Sequence, residues 1–194
     1  MEETKSQVRS AILAARRLLD AVRRDQEATD LARHAATLAV PGSTVCAYVP
    51  VGSEPGSLAM VDALAAHDVA VLLPVARNGP DDTPGPLQWG RYRRGELVAA
   101  PFGLREPPPP TLPPETVGQA GVVLVPALAV DRRGVRLGRG AGFYDRTLGL
   151  AAPGTLLVAV VRDDELVERL PAEPHDVAMS HALTPGRGLV RLGE

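Results

Sequence analysis

A chain of 194 residues with 45% hydrophobic residues is long enough to bury one substantial core and short for two, so one domain is expected. Aromatic residues make up only 3% and the formal net charge is −2, which excludes the stacking platforms of a single-stranded nucleic-acid binder and the basic excess of a duplex binder. One cysteine excludes an intramolecular disulfide and a cysteine-rich zinc site; the lack of any apolar run near the roughly 18 residues of a membrane span, or of a signal-like segment behind the charged N-terminus, predicts a cytoplasmic protein without membrane attachment.

Val8, Ile12, Ala15, Leu19 and Val22 recur at alternating spacings of four and three, which predicts a helix over 5–24 with one buried stripe. Lys5 and Arg9 project together from one face beside that stripe, and Arg16 and Arg23 continue the line. A solvated basic face and an anion clamp both fit this pattern. A second helix is predicted over 26–39, ending before Pro41-Gly42.

Beyond that turn, short aliphatic runs alternate with helical stretches: a strand over 44–49, a helix over 56–67 and a strand over 69–73, with later strands over 97–100, 121–125 and 156–161. Short, nearly all-apolar strands separated by helices predict a three-layer α/β/α fold whose mostly parallel sheet is covered on both faces. Cys46, inside the first strand, reads as a small core residue. The loop after that strand carries Val49 and Glu54 where open α/β sheets bind ligands, at the carboxyl ends of strands. The proline- and glycine-dense tracts 78–86 and 107–114 read as surface loops, the second stiff and extended. Trp89 and Tyr92 lie between them, placed either to pack over the sheet edge or to cover a planar ligand.

The densest signal follows the strand at 121–125. Pro126-Ala127-Leu128-Ala129-Val130-Asp131 leads to Gly134-Val135-Arg136-Leu137-Gly138-Arg139-Gly140-Ala141-Gly142-Phe143-Tyr144-Asp145, with a helix predicted over 143–148. Glycines at 138, 140 and 142 leave alternate positions without a Cβ, so backbone amides can converge on an anion while Arg136 and Arg139 supply positive charge. The spacing fits neither a dinucleotide-binding fingerprint nor a Walker A loop, which would need Lys-Ser/Thr.

This segment resembles the signature of the 5-formyltetrahydrofolate cyclo-ligase family, also called methenyltetrahydrofolate synthetase. The family's form is a hydrophobic strand, Pro-Gly-hydrophobic-Ala/Gly-Phe-Asp, a short gap, then Gly-x-Arg-Leu-Gly-x-Gly-x-Gly-Tyr-Tyr-Asp. Here Ala127 replaces Gly, Val130 replaces Phe and Phe143 replaces Tyr. The resemblance extends from Lys5 to Thr184, with Glu165 where many members have Gln and Ser180 where many have Asp.

The resemblance implies one cyclo-ligase domain over 1–194, on a fold similar to sugar-phosphate isomerases and CoA transferases. It implies an ATP- and magnesium-dependent enzyme that converts 5-formyltetrahydrofolate to 5,10-methenyltetrahydrofolate, releasing ADP and phosphate. ATP would lie on Lys5 and Arg9 of an N-terminal Lys-x-x-x-Arg, and on Arg136, Leu137, Gly138, Arg139, Gly140, Ala141, Gly142, Phe143 and Tyr144. Folate would lie on Val49, Glu54, Arg139, Gly140 and Phe143, with either Trp89 or Tyr92 over the pterin. Arg136, Arg139, Tyr144 and Asp145 would form the catalytic set, and Asp145 and Asp176 would hold magnesium.

Taken alone, Asp145 is also a helix-start carboxylate and Asp176 a turn cap. His175 is given no catalytic part, and His34, His67 and His181 lack zinc-ligand spacing. The expected partners are the small-molecule substrates alone, with the chain acting as a monomer. A sugar-phosphate isomerase or CoA transferase on the same architecture stays open at this point, as does a folate- or nucleotide-binding module without turnover.

Overall fold

The computed structural model describes residues 4–173 and 176–193; His175 therefore lies outside the described residues. Helix α1 spans Lys5–Leu18 and begins with a capping box: the Gln7 amide donates to the Thr4 hydroxyl oxygen, and the Thr4 amide donates to the Gln7 side chain. The helix expected over 5–24 is two helices. The chain breaks at Leu19-Asp20, where the Asp20 carboxylate accepts the Arg23 amide at 2.8 Å and starts α2, Ala21–Ala36. Val22, read as part of the buried stripe, is 80% exposed as a result.

Strand β1 (Thr44–Cys46) follows, shorter than the expected 44–49, then α3 (Leu58–Ala65), β2 (Ala70–Val75) and β3 (Gln88–Arg91). The pair β4 (Val98–Ala99) and β5 (Arg105–Glu106) forms a separate two-stranded ribbon, so the segment expected as a strand over 97–100 is not part of the main sheet. Next come β6 (Val122–Pro126), β7 (Ala129–Asp131), β8 (Arg136–Leu137), α4 (Phe143–Thr147) and β9 (Leu156–Val160). The chain closes with β10 (Leu166–Val167), β11 (His181–Thr184) and β12 (Gly188–Arg191).

The main sheet has the order β12-β11-β9-β6-β1-β2-β3. Its five inner strands run parallel, and both edge strands are antiparallel to their neighbours. Alternate residues of the inner strands face opposite ways, which sorts the core into two clusters. Val45, Val71, Leu124, Val158 and Leu183 meet Leu31, Ala35, Met60, Val61 and Leu64 of α2 and α3. Cys46, Leu72, Val123, Val125 and Ala159 face the other way, under Trp89, Val117, Val130, Leu148 and Met179.

Helices were expected over both faces. The second face is instead covered by loops, short 3₁₀ segments, the five-residue α4 and parts of a second sheet, ordered β10-β7-β8. Helix α1 packs Val8, Ile12 and Leu13 on that second sheet against Leu128, Ala129, Leu137 and Leu170.

Trp89 is 1% exposed inside the core, and Tyr92 is buried with its hydroxyl donating to Asp62, so both aromatics pack and neither is placed to cover a pterin. Cys46 is fully buried, and burial pushes its thiol pKa up to about 12, as suits an inert core residue. Pro107, expected on the surface, is buried beside Gly90 of β3. No helix among the described residues is long and apolar enough to cross a membrane.

Candidate active site

Parallel strands β1, β6 and β9 are neighbours and therefore end together, and the segments that leave their carboxyl ends carry Glu54, Ala127 and Arg162. Sequence reasoning placed Glu54 at such an edge. The structure adds what crosses it: α1 comes from far along the chain to touch loops that follow β6, β8 and β9.

The glycine loop runs from β8 to α4, and arginines surround it. A Cβ at Gly138 would come within 2.6 Å of the Arg136 guanidinium, so the absent side chain leaves room for that group to lie against the backbone. Gly142 is the left-handed residue (φ 83°) that opens α4, a conformation that suits glycine, and its carbonyl accepts from Arg146 at 3.0 Å. From α1, Arg9 donates through Nε to the Gly138 carbonyl at 2.9 Å and lies over Gly140. One turn earlier Lys5 reaches Asp176 at 3.1 Å and Glu173 at 3.4 Å. The structure thus brings Lys5 and Arg9 of α1, the loop and Asp176 together from three separate segments.

Arg136 pairs with Asp145 and donates to the Pro126 carbonyl at 3.3 Å; its guanidinium also lies 5.8 Å from the centre of the Tyr144 ring. Leu137 and Phe143 are placed differently from the loop residues around them. Leu137 is 2% exposed and packs under α1, so only its backbone faces the loop, and Phe143 rests partly buried on the main-sheet core. Arg139 and Ala141 are exposed.

Glu54 connects the glycine loop to the other half of the site. Its carboxylate pairs with Arg139 at 3.3 Å and accepts the Val51 amide at 3.0 Å, while the side chain is only 10% exposed. Burial raises its pKa above the ordinary carboxylate value, against the lowering effect of the Val51 amide and Arg139. Val49 lies partly buried in the same loop. Two phenol groups have buried hydroxyls without a hydrogen-bond partner among the described residues, Tyr48 and Tyr144. Burial, and then the Glu54 charge, raises both pKa values, so both are neutral donors.

The expected line of cations on α1 is broken at Arg16, which is 1% exposed, and at Arg23, which belongs to α2. Arg16 makes a bidentate contact with Glu165 at 2.6 and 2.8 Å and donates to the Ala127 carbonyl at 2.8 Å. Glu165, the residue noted for departing from the family pattern, is therefore the partner of a buried arginine. Ser180, which also departs from that pattern, bonds both the amide and the carbonyl of Leu157 and ties β9 to the start of β11.

Asp131 was not singled out as functional. It is fully buried and accepts the amides of Arg133, Val135 and Leu170, fixing the hairpin from which β8 and the loop depart. Its place in Val130-Asp131, ahead of a glycine two residues beyond Arg132, was the available signal.

The sequence profile of the 5-formyltetrahydrofolate cyclo-ligase family matches residues 1–185. A 5-formyltetrahydrofolate cyclo-ligase of Mycolicibacterium smegmatis is 62% identical over 189 residues, covering 97% of each chain. The Escherichia coli K12 protein of the same name is 30% identical over 149 residues, covering 76% of this chain and 81% of its own. Among solved structures, the 5,10-methenyltetrahydrofolate synthetase of Aquifex aeolicus superposes with a TM-score of 0.75 at 25% identity, covering 98% of this chain and 93% of its own. The Mycoplasma pneumoniae synthetase shares the fold, with a TM-score of 0.70 at 18% identity over 93% of this chain and 98% of its own.

Proposed function

This chain belongs to the 5-formyltetrahydrofolate cyclo-ligase family and is an enzyme that cyclises 5-formyltetrahydrofolate to 5,10-methenyltetrahydrofolate; from that premise we propose that ATP and magnesium act at the edge where α1 meets the glycine loop. The observation that carries this reading is the contact of Arg9 with the Gly138 carbonyl, which sets a cationic helix against a glycine-rich loop beside Arg136. A formyl oxygen on nitrogen is a poor leaving group near neutral pH. Transfer of the ATP γ-phosphoryl group to that oxygen releases ADP and leaves an iminium phosphate at the 5-nitrogen; the neighbouring 10-nitrogen then attacks the formyl carbon, loses its proton to solvent, and inorganic phosphate departs as the carbon–oxygen bond breaks.

Such a transfer asks the protein for positioning and charge neutralisation, and no side-chain nucleophile is needed. Lys5 and Arg9 hold the outer phosphates from one face of α1. Arg136, Arg139 and the amides of 138–142 hold them from the other side. Glu54 accepts hydrogen bonds from the adjacent N–H donors of the pterin's aminopyrimidine, with Val49, Gly140 and Phe143 around it. The buried Tyr144 hydroxyl, neutral and without a hydrogen-bond partner among the described residues, is a donor for a substrate oxygen.

The donor set suits magnesium. Asp145 and Asp176 are hard oxygen donors, and no cluster of three or more His, Cys, Asp or Glu among the described residues forms a self-sufficient cage. That is the pattern of a cation completed by phosphate oxygens and water. When bound, magnesium neutralises charge on the phosphates. Arg136 pairs with Asp145 and Lys5 with Asp176, so each carboxylate lies beside the cation with which it would share the nucleotide.

The reading takes residues 1–194 as one cytoplasmic cyclo-ligase domain, with a fold akin to sugar-phosphate isomerases and CoA transferases. Purified protein mixed with 5-formyltetrahydrofolate, ATP and magnesium should accumulate methenyl product, read by its absorbance. Omitting any one component should abolish it, and product formed without ATP or without magnesium would refute that part of the proposal.

A further inference from the structure

The loop that presents Glu54 is held by a group that is not part of the phosphate or folate sites described above. Arg162 leaves the end of β9 and is 2% exposed. Its Nη1 donates to the Ser53 carbonyl at 3.1 Å, one peptide from Glu54. Its Nε pairs with Glu27 of α2 at 2.7 Å, and its amide donates to Glu165 at 2.8 Å. Glu165 in turn takes both arms of Arg16 from α1, the helix that carries Lys5 and Arg9.

We propose that Arg162 is a positioning residue for folate binding, fixing the Ser53-Glu54 peptide so that the Glu54 carboxylate is set for its ligand, with Arg16 and Glu165 anchoring Arg162 to the nucleotide-bearing helix. Three features support it. The planar guanidinium reaches a carbonyl and a carboxylate at once, which a lysine ammonium on a flexible stem does not reproduce. The loop bonds to itself through the Glu54 amide to the Val51 carbonyl and the Val51 amide to the Glu54 side chain, and Glu54 reaches the exposed Arg139 of the glycine loop, whereas Arg162 ties the Ser53 carbonyl to the buried end of β9. Arg162 and Glu165 follow the end of β9 while Ser53 and Glu54 follow β1, so the contact spans the intervening β6. The inference rests on the reading of Glu54 as a folate ligand.

The test compares Arg162→Lys, Glu27→Gln and Glu54→Gln in steady-state kinetics, with hydrogen exchange of segment 51–54 in the ligand-free protein. Arg162→Lys should raise the KM for 5-formyltetrahydrofolate roughly 10-fold, leave the KM for ATP within about 2-fold, and speed exchange in that segment. Glu27→Gln loosens Arg162 from outside the site and should shift the same two readouts in the same direction by a smaller factor; it also keeps the test available should Arg162→Lys fold poorly. A fall in kcat or melting temperature with both KM values and the exchange unchanged would mean that Arg162 is only structural, and would overturn the proposal. If Glu54→Gln leaves the folate KM unchanged, the ligand role of Glu54 fails and the proposal falls with it, whereas a raised folate KM in Glu54→Gln beside normal Arg162→Lys and Glu27→Gln overturns the positioning role alone.

Discussion

Arg9 and Gly138, 129 residues apart, are joined by a 2.9 Å hydrogen bond from the Arg9 Nε to the Gly138 carbonyl. That bond makes the N-terminal helix a wall of the glycine loop, and it leaves the remaining guanidinium N–H groups of Arg9 available beside Gly140. Arg9→Met keeps much of the aliphatic length and removes the donors. It should raise the KM for ATP by roughly 10-fold while changing the folate KM little. Arg136→Ala should follow the same pattern, and steady-state kinetics showing the reverse split would mean that the loop serves folate.

Glu54 should trade stability for binding. Because burial raises its pKa in the folded protein, the stability it contributes is fully present below its unfolded pKa and is lost as pH rises through the folded value. At neutral pH the buried charge therefore weighs against folding. Glu54→Gln should leave the melting temperature at pH 7 unchanged or higher, and that difference should vanish below about pH 4. The same variant should raise the folate KM by roughly 10- to 100-fold. Melting scans across pH beside kinetics check both halves, and a lower melting temperature at pH 7 with normal folate binding would contradict them.

Asp145→Asn should remove most turnover with little loss of stability. Its side chain is 42% exposed, so its pairing with Arg136 contributes little to folding, while the lost charge removes a hard donor for magnesium. Turnover should fall at least about 100-fold, with a partial return at high magnesium. Activity near that of the unaltered protein would exclude the metal role.

Asp131→Ala should act in the opposite way, through the fold. Removing a fully buried carboxylate strands three backbone donors and the Arg133 guanidinium, which should cost about 3 kcal/mol or more in chemical denaturation. A loss under about 1 kcal/mol would show that water or a shifted hairpin replaces those bonds.

The strands that position the site were legible because they are short, apolar and bounded by turns: β6 and β9 lie within a residue of their expected limits at each end, and α4 begins at the expected Phe143. The break between α1 and α2 was not, since the apolar period runs through it unbroken as far as Val22. Arg16 was read as continuing the basic line of Lys5 and Arg9 because its partner Glu165 is 149 residues away, and no local pattern reports such a pairing. Similarly, spacing showed that Lys5 and Arg9 share a face, yet only the packing of Val8, Ile12 and Leu13 on the second sheet turns that face toward the loop.

The account depends most on where the nucleotide's phosphates lie. A crystal structure with a non-hydrolysable ATP analogue and magnesium should show the triphosphate against the amides of 138–142, with Lys5, Arg9 and Arg136 on its oxygens and the metal on Asp145 or Asp176. A triphosphate bound elsewhere, with the Arg9 to Gly138 contact unchanged and the loop facing solvent, would contradict it.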